Sequence, residues 1–397
     1  MRIHRDQSRL LFRRQRRRRS SGLSLAVMLG VIIGGLAVSW NWIGGRLNFA
    51  AQPIDDSLQQ AQDAFARGDL SNAVELAQRA LEFNPNSDAA LTLLTKALIY
   101  RSYSDYNRAV DRESALEWAA EGLALAPNSP QRLAIYAYAL QSAGRPVEAA
   151  RTAEAALKLD PQNPLARLAM GMAYGSVGSF EIALRESQQV AQTAEWQLDG
   201  QRAMALSYSD LGNYSSAIES IERAISLNRY LVPLYFERAL YALQIGDAGS
   251  ATAAYYQVLT YDPSNVKARL RLCELSSLLR ERAAAVEYCK EVTLRAPSWP
   301  NGWYQLGMEY FLQGSFASAQ DAFHRCSSLQ VMQNVPVSER RFECWYLQGQ
   351  AAEILGDCDN LIATYNEFRA MATDETIAQR WTYPPEGPPT CAVTPAA

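Results

Sequence analysis

Histidine is nearly absent from this chain of 397 residues, since only His4 and His324 occur. The two histidines and the six cysteines show none of the Cys/His ligand spacings that are typical of zinc sites in proteins. The sequence also lacks the G-x-x-x-x-G-K-[ST], G-x-S-x-G and H-E-x-x-H patterns, and its acidic residues are scattered. These absences argue against an enzyme, and we expect no catalytic residue, no metal site and no cofactor.

Lysine is scarce as well, because the basic side chains are almost all arginine. Nine arginines crowd into residues 1–20, beside a single acid, Asp6, while the whole chain carries a net charge of -3. A basic tail on an acidic chain is more typical of a targeting or topology signal than of a nucleic-acid site. An RNA-binding or nuclear-import patch at Arg13–Arg19 is the alternative.

Charge of either sign is missing between Ser20 and Gly45. About 20 apolar residues cross a bilayer as a helix, so the sequence predicts a transmembrane helix over residues 21–45. Trp40 and Trp42 then lie near the far membrane interface, which favours amphipathic aromatic rings. Because positive charge stays on the cytoplasmic side, residues 1–20 are predicted to be cytoplasmic and the rest of the chain periplasmic or at the cell surface.

A cleaved signal peptide remains an alternative for the same segment, with Ala37-Val38-Ser39 as the cleavage site. Both interpretations export the remainder of the chain. Small residues recur every fourth position of the apolar segment, at Gly22, Ala26, Gly30 and Gly34. This spacing lets two membrane helices approach closely, which predicts a homodimer or a partner transmembrane helix unless the glycines merely reflect membrane composition.

A regular period dominates the rest of the chain. Arg280 stands where a sixth glycine would fall, and an alanine follows five residues after each of the six marks. The glycines on the period are Gly144, Gly178, Gly212, Gly246 and Gly314. The alanines are Ala149, Ala183, Ala217, Ala251, Ala285 and Ala319. Such a period, of about 34 residues, is typical of a solenoid of paired helices.

One unit shows the full pattern of such a repeat. It contains, in order, Trp303, Leu306-Gly307, Tyr310, Ala319, Phe323 and Cys326. The chain therefore resembles the tetratricopeptide family, although cysteine replaces the family's last alanine and Val331 stands at the proline position. The resemblance implies an all-α, right-handed superhelical solenoid of about nine helix-turn-helix units over residues 54–375, preceded by the one transmembrane helix.

The unit boundaries follow from the same period, with starts near residues 54, 88, 130, 164, 198, 232, 266, 300 and 342. Two insertions of eight residues interrupt it, one within Arg101–Asp111 and one around Asn334–Arg341. Residues 376–397 leave the pattern and are rich in proline, which predicts an extended tail or a cap over the last unit.

In this family the inner surface is lined by set positions of each first helix. Transferred to this chain, those positions are Ile135, Tyr138, Leu168, Met172, Arg202, Leu206, Phe236, Leu240, Lys267, Arg271, Glu274, Tyr304, Met308, Phe311, Tyr346 and Gln350. The Lys and Asn set with which some family members clamp terminal carboxylates is absent. The resemblance thus implies an apolar, aromatic groove for a protein or peptide partner, unless these side chains pack within the superhelix.

All six cysteines lie in the last third of the chain, and six cysteines permit fifteen pairings. The implied repeat places Cys326 at the end of one unit's second helix and Cys344 at the start of the next unit's first helix. Because these antiparallel helices are neighbours, the two cysteines are the first candidates for a disulfide bond. Cys273 and Cys289 share one unit, but we expect an offset of one helical turn to hold their Cα atoms too far apart. Cys358 and Cys391 would remain, and buried thiols are the alternative.

These features together predict a membrane-anchored scaffold that assembles a membrane or cell-envelope complex outside the cytoplasmic membrane. A holdase-type chaperone for exported proteins is one alternative. A regulatory adaptor facing the cytoplasm is another, and the nine arginines argue against it. Neither a cofactor nor a nucleic-acid partner is expected.

Overall fold

A computed structural model describes residues 53–371, where the chain forms eighteen α-helices and two short 3-10 helices. The α-helices are α1 Pro53–Ala66, α2 Leu70–Phe83, α3 Asp88–Ser102, α4 Asp111–Leu125, α5 Pro130–Ser142, α6 Pro146–Leu159, α7 Pro164–Ser176, α8 Phe180–Ala191, α9 Gln197–Asp210, α10 Tyr214–Leu227, α11 Val232–Gln244, α12 Ala248–Tyr261, α13 Val266–Leu278, α14 Arg282–Arg295, α15 Pro300–Leu312, α16 Phe316–Met332, α17 Glu343–Leu355 and α18 Cys358–Met371. The 3-10 helices are Ala194–Trp196 and Val337–Glu339.

Consecutive helices pair into nine units, and each helix packs mainly on its neighbours in the chain. Every unit start expected from the sequence period lies within one residue of the first residue of an observed helix. Side-chain caps define several of these starts, as where Ser129 accepts a hydrogen bond from the Arg132 amide and Asn163 from the Ala166 amide. The architecture is an all-helical solenoid of the tetratricopeptide type within residues 53–371.

The periodic residues have distinct structural roles. All six alanines on the period are at most 1% exposed, so they allow the helices of a unit to approach closely. The five glycines lie at the turns between paired helices with positive φ, between 74° and 86°. Arg280 adopts the same left-handed conformation, with φ of 63°, because the turn geometry is retained although the glycine is not.

The first insertion forms the eight-residue connection between α3 and α4. Its base is closed by a two-pronged ion pair, in which Arg101 Nε donates to Asp111 Oδ2 at 2.7 Å and Arg101 Nη2 to Asp111 Oδ1 at 2.8 Å. Both side chains are mostly buried. We call residues Tyr103–Val110 the strap, because they reach across the array to the seventh unit.

Distant units of the described array also contact each other at two other places. Lys96 of the second unit pairs with Asp199 of the fifth at 2.5 Å, and Tyr100 donates to the same carboxylate at 2.9 Å. The end of α1 contacts the connection before α11, where Asn228 Nδ2 donates to the Phe65 carbonyl at 3.5 Å. Long-range contacts therefore supplement the neighbour contacts of an ordinary solenoid.

Two disulfide bonds cross-link helices of the last three units. Cys326 in α16 is bonded to Cys344 in α17, with Cα atoms 5.9 Å apart. Cys273 in α13 is bonded to Cys289 in α14, with Cα atoms 5.4 Å apart. The expectation that this second pair is too distant was wrong, because the antiparallel helices of one unit bring the two positions level. Cys358 is disulfide-bonded as well.

Several predictions concern residues that the structure does not describe. These are the basic segment 1–20, the transmembrane helix over 21–45 with Gly22, Ala26, Gly30 and Gly34, the tail over 376–397, and Cys391. Within residues 53–371, none of the helices combines the length and the apolar character needed to span a bilayer.

Candidate functional site

Two neighbouring pockets form one continuous depression along the first helices of units three to seven. The smaller pocket, of about 210 Å³, lies over α5, α7, α9 and α11. The larger, of about 400 Å³, lies over α11, α12 and α13 and is bounded by Tyr103 of the strap. Glu237 and Leu240 line both pockets. We call the combined depression the central groove.

Many of the groove positions implied by the family resemblance lie in this depression. They are Tyr138, Leu168, Met172, Arg202, Leu206, Phe236, Leu240, Lys267, Arg271 and Glu274. Tyr138 and Leu168 are only 3% and 2% exposed, so they form its floor. The structure therefore brings together these ten transferred positions of units three to seven.

Ile135 does not belong to the central groove. Its side chain is fully buried within the core between neighbouring units, which corrects its assignment to the inner surface. The residue lies only one turn before Tyr138 on α5, but it belongs to a hydrophobic core that residues of several units share. Exposure at this position depends on packing across units, which a single repeat pattern does not report.

The transferred positions of units eight and nine form no common pocket with the central groove. The guanidinium of Arg341 lies over the ring of Tyr304, 4.3 Å from its centroid, and Phe311 packs edge-on against Phe316. Met308 is half-buried on α15. Gln350 Nε2 donates to the hydroxyl of Tyr346 at 2.6 Å, so these two polar groups satisfy each other.

Exposed leucines give the central groove its apolar character. Leu206 is 43% exposed, Leu240 51% and Leu278 74%, although they lie on three first helices of the same array. The ring of Phe236 adds an aromatic wall beside Leu240. Apolar side chains aligned over several helices are suited to bind the apolar face of a helix or an extended segment.

Arginine and glutamate fix the polar centre of the groove. Arg202 Nε donates to Glu237 Oε1 at 2.8 Å, joining α9 to α11. The Arg202 guanidinium also lies 4.8 Å from the ring centroid of Tyr100 and 5.4 Å from that of Tyr103. Burial raises the pKa of Tyr100 well above its usual value, and the negative charge of Asp199 adds to the effect. The tyrosine therefore stays neutral and acts as a hydrogen-bond donor.

Lys267 lies where the groove meets the strap. Its ammonium donates to the carbonyl oxygen of Tyr103 at 2.7 Å and lies 4.3 Å from the ring centroid of Phe236. Burial, together with the charge of Arg271, lowers the pKa of Lys267 to about 8, while Asp105 and Glu237 oppose the shift. The Lys267 ammonium is therefore stabilised more by its carbonyl and aromatic contacts than by hydration.

The family resemblance did not assign three of the important groove residues. Glu237 and Asp199 lie in first helices outside the transferred positions, and Tyr103 lies in the insertion. The only sequence signal for Tyr103 was the eight-residue excess of its unit over the period. Among residues 53–371, no group of His, Cys, Asp and Glu is arranged to hold a metal ion.

Comparison with known proteins agrees with this architecture. Residues 202–266 match the family described as tetratricopeptide repeat. No curated protein matches the chain. The chain is similar to a chain in the crystal structure of the APC/C hetero-tetramer Cut9-Hcn1, with a TM-score of 0.55 and 14% identity, over 76% of this chain and 57% of that one. It thus spans little more than half the length of that protein.

Two shorter solved structures are also similar. A tetratricopeptide repeat protein from Parabacteroides merdae ATCC 43184 aligns at 18% identity with a TM-score of 0.40, over 65% of this chain and 99% of that one. TTC0263, a thermophilic TPR protein in Thermus thermophilus, aligns at 21% identity with a TM-score of 0.40, over 46% of this chain and all of that one. At these identities, the likeness to Cut9-Hcn1 shows the fold alone.

Proposed function

We propose that this tetratricopeptide-type array is a membrane-anchored scaffold, which assembles a membrane or cell-envelope complex by binding a protein segment in its central groove. The observation that carries the proposal is the row of exposed Leu206, Leu240 and Leu278 along one continuous depression. Exposed apolar side chains in a concave site favour a binding partner over solvent, because burying them removes apolar surface from water.

The proposed anchor is the charge-free segment over 21–45, with the N-terminus inside and the array outside the cytoplasmic membrane. The disulfide bonds Cys273–Cys289 and Cys326–Cys344 support an extracytoplasmic location, because such bonds persist in oxidising compartments and are rare in the cytosol. The proposed role is non-catalytic, and any self-association would come from the small-residue spacing of the anchor.

Site-specific photo-cross-linking in intact cells tests the groove. We would place a benzophenone amino acid at Leu240 and, as the matched control, at Leu294, which is 79% exposed on α14 outside the groove. We expect one cross-linked product of discrete mass from position 240 and none from position 294. No product from position 240 would contradict the proposal, and a broad ladder of products would favour the holdase alternative.

Topology is tested separately with a membrane-impermeant protease. We expect digestion of the array once any outer membrane is permeabilised, while the cytoplasmic membrane remains intact. An array that resists until the cytoplasmic membrane is broken would reverse the topology, and the cytoplasmic adaptor would then be the better proposal.

A further inference from the structure

The strap occupies the start of α13 as a ligand would. The Lys267 amide donates to Asp105 Oδ1 at 2.9 Å, and the Val266 amide lies 3.5 Å from Asp105 Oδ2. Asn265, the N-cap residue of α13, accepts a hydrogen bond from the Ala268 amide. A carboxylate from a distant unit therefore satisfies amides that the local cap leaves without a partner.

Three further contacts join the strap to the start of α13 and to Trp299. Asn265 Nδ2 donates to the Ser104 carbonyl at 2.9 Å, and Lys267 Nζ donates to the Tyr103 carbonyl. The ring of Tyr106 stacks on Trp299, with centroids 4.3 Å apart and an interplanar angle of 29°. We call Asn265, Val266, Lys267 and Trp299 the strap site.

The chemistry of these contacts is transferable to another chain. The strap site recognises two main-chain carbonyls, one carboxylate and one aromatic ring on the next residue. Apart from the Asp105 carboxylate and the Tyr106 ring, recognition uses backbone atoms that every protein segment has. A loop that has the turn conformation of the strap, and an acidic residue followed by an aromatic one, can therefore offer the same groups.

The strap also reaches the central groove, because the Tyr103 ring forms part of its wall. Arg112 and Arg202 lie over this ring, with guanidinium carbons 5.5 Å and 5.4 Å from its centroid. Removal of the strap would widen the groove beside Phe236 and uncover Trp299. Occupation of the strap site and access to the groove are therefore linked.

We propose that the strap is an intramolecular occupant of a second docking site at the start of α13, and that a partner segment carrying an acidic residue followed by an aromatic one displaces it. This inference rests on the proposed function in one respect, because displacement of the strap would widen the central groove in which a partner segment is proposed to bind. The strap normally occupies the site because its tether and the Arg101–Asp111 clamp give it a high effective concentration.

Fluorescence anisotropy with a synthetic strap tests the inference. The probe is a labelled peptide with the sequence of residues 102–110, cyclised through its ends to replace the Arg101–Asp111 clamp. The strap site is vacated in the full chain by the double substitution Asp105→Ala and Tyr106→Ala. We expect saturable binding to this variant, at least about tenfold weaker binding to the wild type, and loss of binding when the peptide carries Asn at the Asp105 position.

The matched control is Asn107→Ala, an exposed position of the same strap, which should behave as wild type. Hydrogen exchange at the Val266 and Lys267 amides reports separately whether the strap has left, and circular dichroism whether the variant is folded. Tyr106→Ala alone is the second variant if the double one unfolds. Equal binding to wild type and vacated protein, or none to a folded vacated protein, would overturn the inference and leave the Leu240 cross-linking result unaffected.

Discussion

At the scale of single residues, Arg280 carries a backbone conflict that the glycine turns of the period avoid. The five glycines on the period accept a positive φ without a steric penalty, whereas an L-residue with a side chain does not. The turn nevertheless keeps its capping bonds, since the Arg280 amide donates to the Ser277 carbonyl at 3.0 Å and the Glu281 amide to the Ser276 carbonyl at 2.8 Å. The conformation is therefore imposed by the pairing of α13 with α14.

Arg280→Gly should raise the free energy of unfolding by about 0.5–1 kcal/mol, because relief of the left-handed strain exceeds the entropic cost of glycine. Urea denaturation measures the change. Arg280→Ala should have little effect, since it removes the charge and keeps the strain. Gly246→Ala should destabilise, although a Cβ there would meet no neighbouring atom. If Arg280→Gly were less stable than the wild type, the contacts of the guanidinium would contribute more to the free energy of unfolding than relief of the strain does.

Lys267 should make stability increase with pH. Its pKa falls from 10.5 to about 8 on folding, so between these values the unfolded chain binds more protons than the folded one. The free energy of unfolding should rise by about 1–2 kcal/mol between pH 8 and pH 9.5, below the range in which tyrosines ionise. Urea denaturation at a series of pH values checks this, and Lys267→Met should flatten the profile. A flat profile for the wild type would contradict the prediction.

At the scale of helices, close approach depends on the absence of a side chain at chosen positions. The helices α8 and α9 touch at Gly200, where an added Cβ would fall 2.5 Å from the Cα of Ala191. At Gly307 an added Cβ would meet the ring of Phe323 at 2.7 Å. The first contact is with backbone, which cannot rotate away, and the second is with a side chain.

Gly200→Ala should therefore destabilise the array by about 2 kcal/mol or more, because α8 and α9 must separate. Gly249→Ala is the matched control within α12, where an added Cβ would meet nothing closer than Asp247 Oδ1 at 3.5 Å. That control should be neutral or stabilising by about 0.5–1 kcal/mol, since alanine favours helix. Thermal unfolding of the two variants gives the comparison, and equal effects would contradict it.

At the scale of the whole described array, the disulfide bonds and the long-range contacts act on different parts. The bonds Cys273–Cys289 and Cys326–Cys344 close short loops, with separations of 16 and 18 residues in the last three units. The Lys96–Asp199 pair and the strap join earlier units across the array. In a plain solenoid each unit contacts only the units next to it, so a structural change passes from one unit to the next. The Lys96–Asp199 pair and the strap connect distant units directly.

Reduction of the disulfide bonds should lower stability mainly in α13–α18, by about 3 kcal/mol for each bond. Hydrogen exchange followed before and after reductant measures this by segment. Units three and four should keep their protection, because no disulfide bond within residues 53–371 involves them. Protein prepared without reductant should show no reactive thiol at these four cysteines. Reactive thiols there would also remove the support for an oxidising compartment.

Local chemistry determined much of this protein from the sequence alone. The period, the turn glycines and the capping residues each act within one repeat, so the helices and their order were predictable. Ten groove positions of units three to seven were predictable for the same reason, since each depends on the register of one first helix. Arg280 could be assigned to a glycine turn by its position on the period.

Tertiary structure alone decided the features that join distant repeats. Ile135 is buried in a hydrophobic core that residues of several units share, and Asp105 caps α13 because the array brings two distant units together. Cys273 can bond to Cys289 because antiparallel helices bring their Cα atoms level. Each depends on how successive units rotate against one another, a small angle set by many packed side chains. A period in the sequence records the spacing of the repeats but not that rotation.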